Sequence, residues 1–199
     1  MPTRAEILDT LAASQTQVLA FFQELSLEDL ERPATASDVA GAAPWRAKDH
    51  LAHLTQSERN IQRLLRSVLA GETRDDILRL QYPEGMALPG ILGDLDALTS
   101  EEEERLTIAV ANINQTTVNM RHDDTLAMLT ADYLAARRNT LDLLQEFTDD
   151  QLAAPMPTVV GDQAVGGLFA GRAGHATEHL TAIEEGLRDI PHGLKPDDF

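Results

Sequence analysis

The chain repeats itself at one constant offset, and this limits its fold more than any other feature. Gln23-Glu24-Leu25-Ser26 returns as Gln145-Glu146-Phe147-Thr148, 122 residues further on. At the same offset Leu19 falls on Leu141, Leu30 on Leu152, Pro33 on Pro155, His53 on His175, Thr55 on Thr177 and Ile61 on Ile183. Leu65-Arg66 falls on Leu187-Arg188, and no gap is needed anywhere. Chance readily aligns leucine on leucine between two amphipathic helices. It does not readily bring a shared turn, a proline and a histidine into one register. The chain is therefore read as two copies of one supersecondary unit, each burying an apolar face that it cannot bury alone.

Each unit reads as a helical hairpin. Thr3 and Glu6 form a capping-box pattern, after which Ile7, Leu11, Val18, Phe22 and Leu25 recur at helical spacing until Pro33. A small-residue loop from Ala34 to Ala43 follows. Pro44 then opens a second helix carrying Leu51, Leu54, Ile61, Leu65 and Val68 to about Gly71. The third helix starts at Asp123 or Asp124 and runs through Leu126, Leu129, Tyr133, Leu141 and Leu144 to Phe147. The fourth begins after Gly166-Gly167, carries Phe169, Ala176, Leu180, Ile183 and Leu187, and is stopped by Pro191.

Strand signals are confined to Thr158-Val159-Val160. The expected class is all-α: a four-helix bundle of two pseudo-two-fold-related hairpins. Residues 1–190 form the bundle and 191–199 a polar tail. A long crossover, 71–122, joins the hairpins, and Ser100 to Glu103 cap a short extra helix within it.

Composition narrows the partners. Lys+Arg 16 against Asp+Glu 33 gives −17, a field that repels phosphate backbones and anionic lipid. Nucleic acid and membrane are not expected partners, and no apolar run approaches the roughly 20 residues that span a bilayer. The absence of cysteine removes disulfides, thiolate ligands and a cysteine nucleophile together. A cytoplasmic protein acting on a small molecule is the expectation, with a homodimer possible through the crossover.

The chemistry rests on histidine. His175 and His179 stand one turn apart on one helix face, and the repeat sets His53 at the height of His175 on the partner helix. Three imidazoles in one place repel one another when protonated, whereas a divalent ion needs them neutral and holds them together. His50 lies nearer the middle of its helix's apolar stripe and remains a rival to His53. His122 and His192 are read as solvated.

Two named motifs compete for the same residues and both fall short. His175-Ala176-Thr177-Glu178-His179 spells H-x-x-E-H. Peptidases of that type need a further ligand well downstream, and the 20 residues that follow offer Glu184, Glu185 and Asp189 in the same short stretch. A carboxylate-bridged di-iron bundle needs glutamate three residues before a histidine, and no histidine here has one.

Trp45-Arg46-Ala47-Lys48-Asp49-His50-Leu51-Ala52-His53-Leu54, Gly174-His175-Ala176-Thr177-Glu178-His179-Leu180 and the crossover between the hairpins resemble the DinB-like (DinB/YfiT) superfamily of metal-binding four-helix bundles. The resemblance extends from about Ala5 to Arg188. It implies one divalent ion, often zinc or nickel, held by His53, His175 and His179, and so favours His53 over His50. Characterised relatives include mycothiol-dependent maleylpyruvate isomerases and bacillithiol or glutathione S-transferases. The all-histidine triad resembles that of the transferase-like members, while the isomerases carry a glutamate within theirs.

Three neutral nitrogen ligands leave a coordination position open. A small-molecule thiol bound there is deprotonated outright, and a water loses a proton near neutral pH. The leading expectation is transfer of a low-molecular-weight thiol, as cosubstrate, to an electrophilic small molecule. The alternatives are a metal-dependent hydrolase, with Glu178 or Glu58 moving the proton, and a non-catalytic metal-binding or stress-related protein. Arg172, nearly one turn before His175, offers a cationic anchor for a thiol bearing carboxylates or an ordinary surface ion pair. Trp45 is expected to pack at the end of the bundle, with pocket lining as the alternative.

Overall fold

The computed structural model describes residues 2–81, 99–158 and 161–189. Val159, Val160, His192, the tail and the centre of the crossover lie outside the described residues. The rest is mostly helical: α1 (Arg4–Glu24), α2 (Leu27–Glu31), α3 (Ala47–Leu69), α4 (Arg74–Arg79), α5 (Ser100–Met120), α6 (Leu126–Glu146), α7 (Asp149–Ala153) and α8 (Val165–Asp189). Two antiparallel two-stranded ribbons accompany them, β1 (Pro33–Thr35) with β2 (Trp45–Arg46) and β3 (Pro155–Thr158) with β4 (Gly161–Ala164).

The repeat is visible in the element boundaries. α6 begins and ends 122 residues after α1, and α7 does so after α2. The caps correspond as well. Thr3 and Thr125, like Ser26 and Thr148, each accept the backbone N–H three residues on, satisfying a donor that the first turn leaves free. The second long helix of each repeat departs from the pattern. Pro33 pairs with Arg46, whereas Pro155 pairs with Ala164, so the second connection is four residues shorter. α8 accordingly opens about one turn early, at Val165 rather than after the glycine pair. Because one turn takes 3.6 residues, the added residues keep almost the same face, and the 122-residue register resumes along α8.

Packing follows two main pairings, α3 against α6 and α1 against α8, with α3 also touching α8 and α1 touching α6. Two apolar blocks result. Val18, Phe22, Leu51, Leu129 and Ile183 belong to one, and Ile7, Leu11, Leu65, Leu144 and Phe169 to the other. Between them runs a polar belt: Ser14, Glu58 and Arg137 are all buried at that level, and Arg172 lies within it on α8. α8 approaches β1 so closely that a Cβ on Gly186 would fall 1.5 Å from the Ala34 carbonyl oxygen.

Two expectations are corrected. The extra helix in the crossover, α5, is not short: it runs 21 residues from a Thr99–Glu102 capping box. Its length is hard to read because it exposes Ile108, Val110, Ile113 and Met120 and so lacks a clean stripe. The connections also form ribbons, with β3 ending at Thr158 among the described residues. No described helix is long and apolar enough to cross a membrane.

Candidate metal centre

The first half of α3 is enclosed on every side: all nine residues from Ala47 to Thr55 are buried. Asp49 accepts the Arg46 backbone N–H at 2.8 Å and fixes the start of the helix. His50 and His53 therefore enter the interior from a rigid turn. α8 faces them with His175 and His179, both half-buried.

α3 and α8 meet as an antiparallel ladder with three rungs. His50 Nδ1 lies 2.8 Å from His179 Nδ1, His53 Nε2 lies 3.2 Å from His175 Nε2, and Arg172 Nη1 donates to Ser57 Oγ at 2.6 Å. The His53–His179 and His175–His179 ring centroids are 4.7 and 4.6 Å apart, so the third imidazole closes on the middle rung. Ligand nitrogens of His53, His175 and His179 all lie within 4.8 Å of one another. These three side chains can bind a metal ion. Two nitrogens 2.0–2.1 Å from one ion at a tetrahedral angle sit roughly 3.3 Å apart, close to the observed middle rung.

Electrostatics favour the neutral rings that coordination needs. Burial, then the neighbouring His179 and His175, pushes the His53 pKa down to about 3. Burial and His179 push His175 to about 4. Burial also lowers His179, against the pull of Glu178 and Asp38. His50 is pushed to about 3 by burial and by the His179 and His53 rings. It faces Thr35 Oγ1 at 3.0 Å through Nε2 and His179 through Nδ1, which leaves His179 Nε2 for the cluster. His50 is thus the partner of a candidate ligand and not a fourth member of the cluster. It sets the tautomer and tilt of His179.

A cavity of about 500 Å³ opens onto the histidines. Trp45 lines it, 5.3 Å from both the His50 and His53 rings by centroid, and donates through Nε1 to Gln115 Oε1 at 2.9 Å. Of the two expectations for Trp45, packing at a bundle end and lining a pocket, the second describes its place here. Gln56, Asn60 and Asn114 give the wall amides, and Asp38 is its charged member.

The two carboxylates expected to move a proton are placed elsewhere. Glu58 is buried in the belt, where Arg137 Nη2 reaches Oε1 at 2.8 Å and the Thr140 hydroxyl donates to Oε2. Glu178 is exposed on α8. Neither lines the cavity. A helical wheel puts Glu58 on an inner face, but it does not show the arginine on α6 that claims it. His122 is exposed, with its Nδ1 2.7 Å from Arg46 Nη2. Ser57 carried no signal in the sequence beyond standing one turn past His53.

No protein-family profile matches the chain, and no curated protein matches it by sequence. In fold it is similar to the crystal structure of an uncharacterised protein from Escherichia coli UTI89, with a TM-score of 0.63 at 11% identity over 94% of each chain. That similarity shows the fold alone.

Proposed function

We propose that this chain is a DinB-like four-helix bundle of α1, α3, α6 and α8. Its two hairpins are related by a pseudo-two-fold axis, and it transfers a low-molecular-weight thiol to an electrophilic small molecule with the help of one divalent ion, zinc or nickel. The observation that carries this reading is the convergence of His53, His175 and His179 as neutral imidazoles at the wall of a cavity of small-molecule size. A bound divalent ion supplies Lewis acidity that makes a thiolate from a thiol at neutral pH. The protein's own residues do the rest. His50 holds His179 in the tautomer that frees Nε2, and Trp45 with the amides of Gln56, Asn60 and Asn114 shapes the space for the electrophile.

Hydrolysis is the weaker reading, because Glu58 is engaged by Arg137 and Glu178 faces away from the cavity. Elemental analysis of the purified protein tests the proposal first. About one divalent ion per chain is expected, and none when His53, His175 and His179 are all replaced by alanine. Incubation with a chromogenic electrophile and a panel of thiols tests it second. Turnover that needs thiol and vanishes in His53→Ala supports it, and turnover in buffer alone refutes it.

A further inference from the structure

The ladder between α3 and α8 is chemically uneven, and its third rung has no role yet. Ser57 precedes His179 by 122 residues, and His50 precedes Arg172 by the same 122. The repeat therefore exchanges the outer rungs: the 122-residue offset carries His50 onto Arg172 and Ser57 onto His179, so each rung takes one residue from each half of the chain. One outer rung completes the imidazole cluster, and its counterpart presents a cation and a hydroxyl one turn away.

That cation is poorly neutralised. Arg172 is half-buried, and among the described residues no carboxylate lies within ion-pair reach of it. Among the described residues its Nε is buried without a hydrogen-bond partner, and its guanidinium bonds to Ser57 alone. Glu58 and the exposed Glu178 act on it from a distance, and Arg137 and Thr140 hold the two Glu58 oxygens. At this level the belt therefore carries two arginines and one glutamate. Ser57 connects this excess charge to the cavity: it lines the wall and accepts from Arg172. Among the described residues it makes no other hydrogen bond, so its own O–H remains to donate. A hydroxyl polarised by a half-buried guanidinium is a strengthened donor. Asp38, the acidic group of the wall, is exposed, where water screens its charge more than it screens Arg172.

We infer that Ser57 and Arg172 form an anion subsite, and that the thiol this protein takes is one whose sulfur and carboxylate are separated by a short spacer. The inference rests on the reading of the triad as a metal centre. Four residues along α3, or three along α8, set the subsite roughly 4.5–6 Å from the middle rung. A two-carbon spacer suits that span.

The test compares 3-mercaptopropionate with 3-mercaptopropan-1-ol, which has the same chain length and no charge. Binding to the cobalt(II)-loaded protein is followed by the sulfur-to-cobalt charge-transfer absorption. The wild-type protein should bind the acid at least about tenfold more tightly, the scale of one added charge-assisted hydrogen bond. Arg172→Gln should bring the ratio close to one, chiefly by weakening the acid, with cobalt still bound, and Arg172→Lys should keep part of the preference. Ser57→Ala should reduce it. A wild-type ratio near one overturns the inference without any variant. A preference that survives in Arg172→Gln also overturns it, by assigning the carboxylate to the metal. Failure of cobalt to bind is a separate result, which refutes the metal centre and the subsite with it.

Discussion

Glu58→Gln should destabilise the protein more than Arg137→Met, although both break the same buried ion pair. Glu58 is 2% exposed and Arg137 1% exposed, so neither partner can turn to water when the other is removed. Breaking a buried pair by deleting one member costs about 3–5 kcal/mol. The surroundings decide which end of that range applies. Glu58→Gln leaves Arg137 and Arg172 sharing the belt with no anion, which puts its cost near 5 kcal/mol. Arg137→Met leaves Glu58 with the Thr140 hydroxyl and the field of Arg172, and the methionine refills most of the stem volume. Its cost stays near 3 kcal/mol, including the bond to the Leu11 carbonyl, a loss of about 1 kcal/mol. For a chain of this size the gap of about 1–2 kcal/mol corresponds to roughly 2–8 °C between the two melting temperatures. Thermal and urea unfolding followed by far-UV circular dichroism at pH 7 measures it. Moderate salt should leave the gap unchanged, since buried charges are little screened. Equal costs, or a greater cost for Arg137→Met, would show that the Arg172 charge does not reach Glu58.

Other expectations follow from the same structure. Substituting His50 with alanine should weaken metal binding about 10–100-fold without changing its stoichiometry, because His50 supports His179 and stands outside the cluster. Quenching of Trp45, the single tryptophan, by nickel(II) is the readout, and loss of stoichiometry would contradict the assignment. Gly186→Ala should cost several kcal/mol or prevent folding, since its Cβ meets the Ala34 backbone. Gly174→Ala, with open space around its Cβ, should be neutral or gain up to about 1 kcal/mol, and equal melting temperatures for the two variants would refute the close approach. The metal-free protein should lose stability as pH falls from 6.5 towards 4. Over that window the unfolded histidines take up protons that His50, His53 and His175, held at about 3, 3 and 4, refuse in the fold. Near pH 5 three such protons give a slope approaching about 4 kcal/mol per pH unit, and a flat profile would refute the burial of neutral rings.

The sequence carried the frame of this molecule further than it carried the site. Thr3 with Thr125, and Ser26 with Thr148, mark equivalent helix starts, and capping is a local matter that short stretches of sequence reveal. The triad was legible for a related reason, since His175 and His179 share a face and the repeat supplies the height of His53. The partners of these residues were not legible. Nothing near Glu58 in the chain points to Arg137, 79 positions away, and nothing near Ser57 points to Arg172. Such pairings depend on how α3 turns against α6 and α8, and a helical wheel fixes that only to within a residue or two. α5 was misjudged in length because its apolar residues answer to solvent and to the cavity wall as much as to the core.

The two ribbons differ in one more respect that bears on the future of this scaffold. Thr35, Ala36 and Asp38, from the longer connection, line the cavity, while among the described residues the shorter connection contributes no side chain to it. The longer connection is also tied to the helices: Thr35 Oγ1 faces His50 Nε2 at 3.0 Å, and Ser37 donates to Gln115 Oε1 on α5 at 2.6 Å. Exchanging Ala36 and Asp38 while keeping Thr35 and Ser37 is a route to new ligand selectivity that leaves the imidazoles and their partners in place.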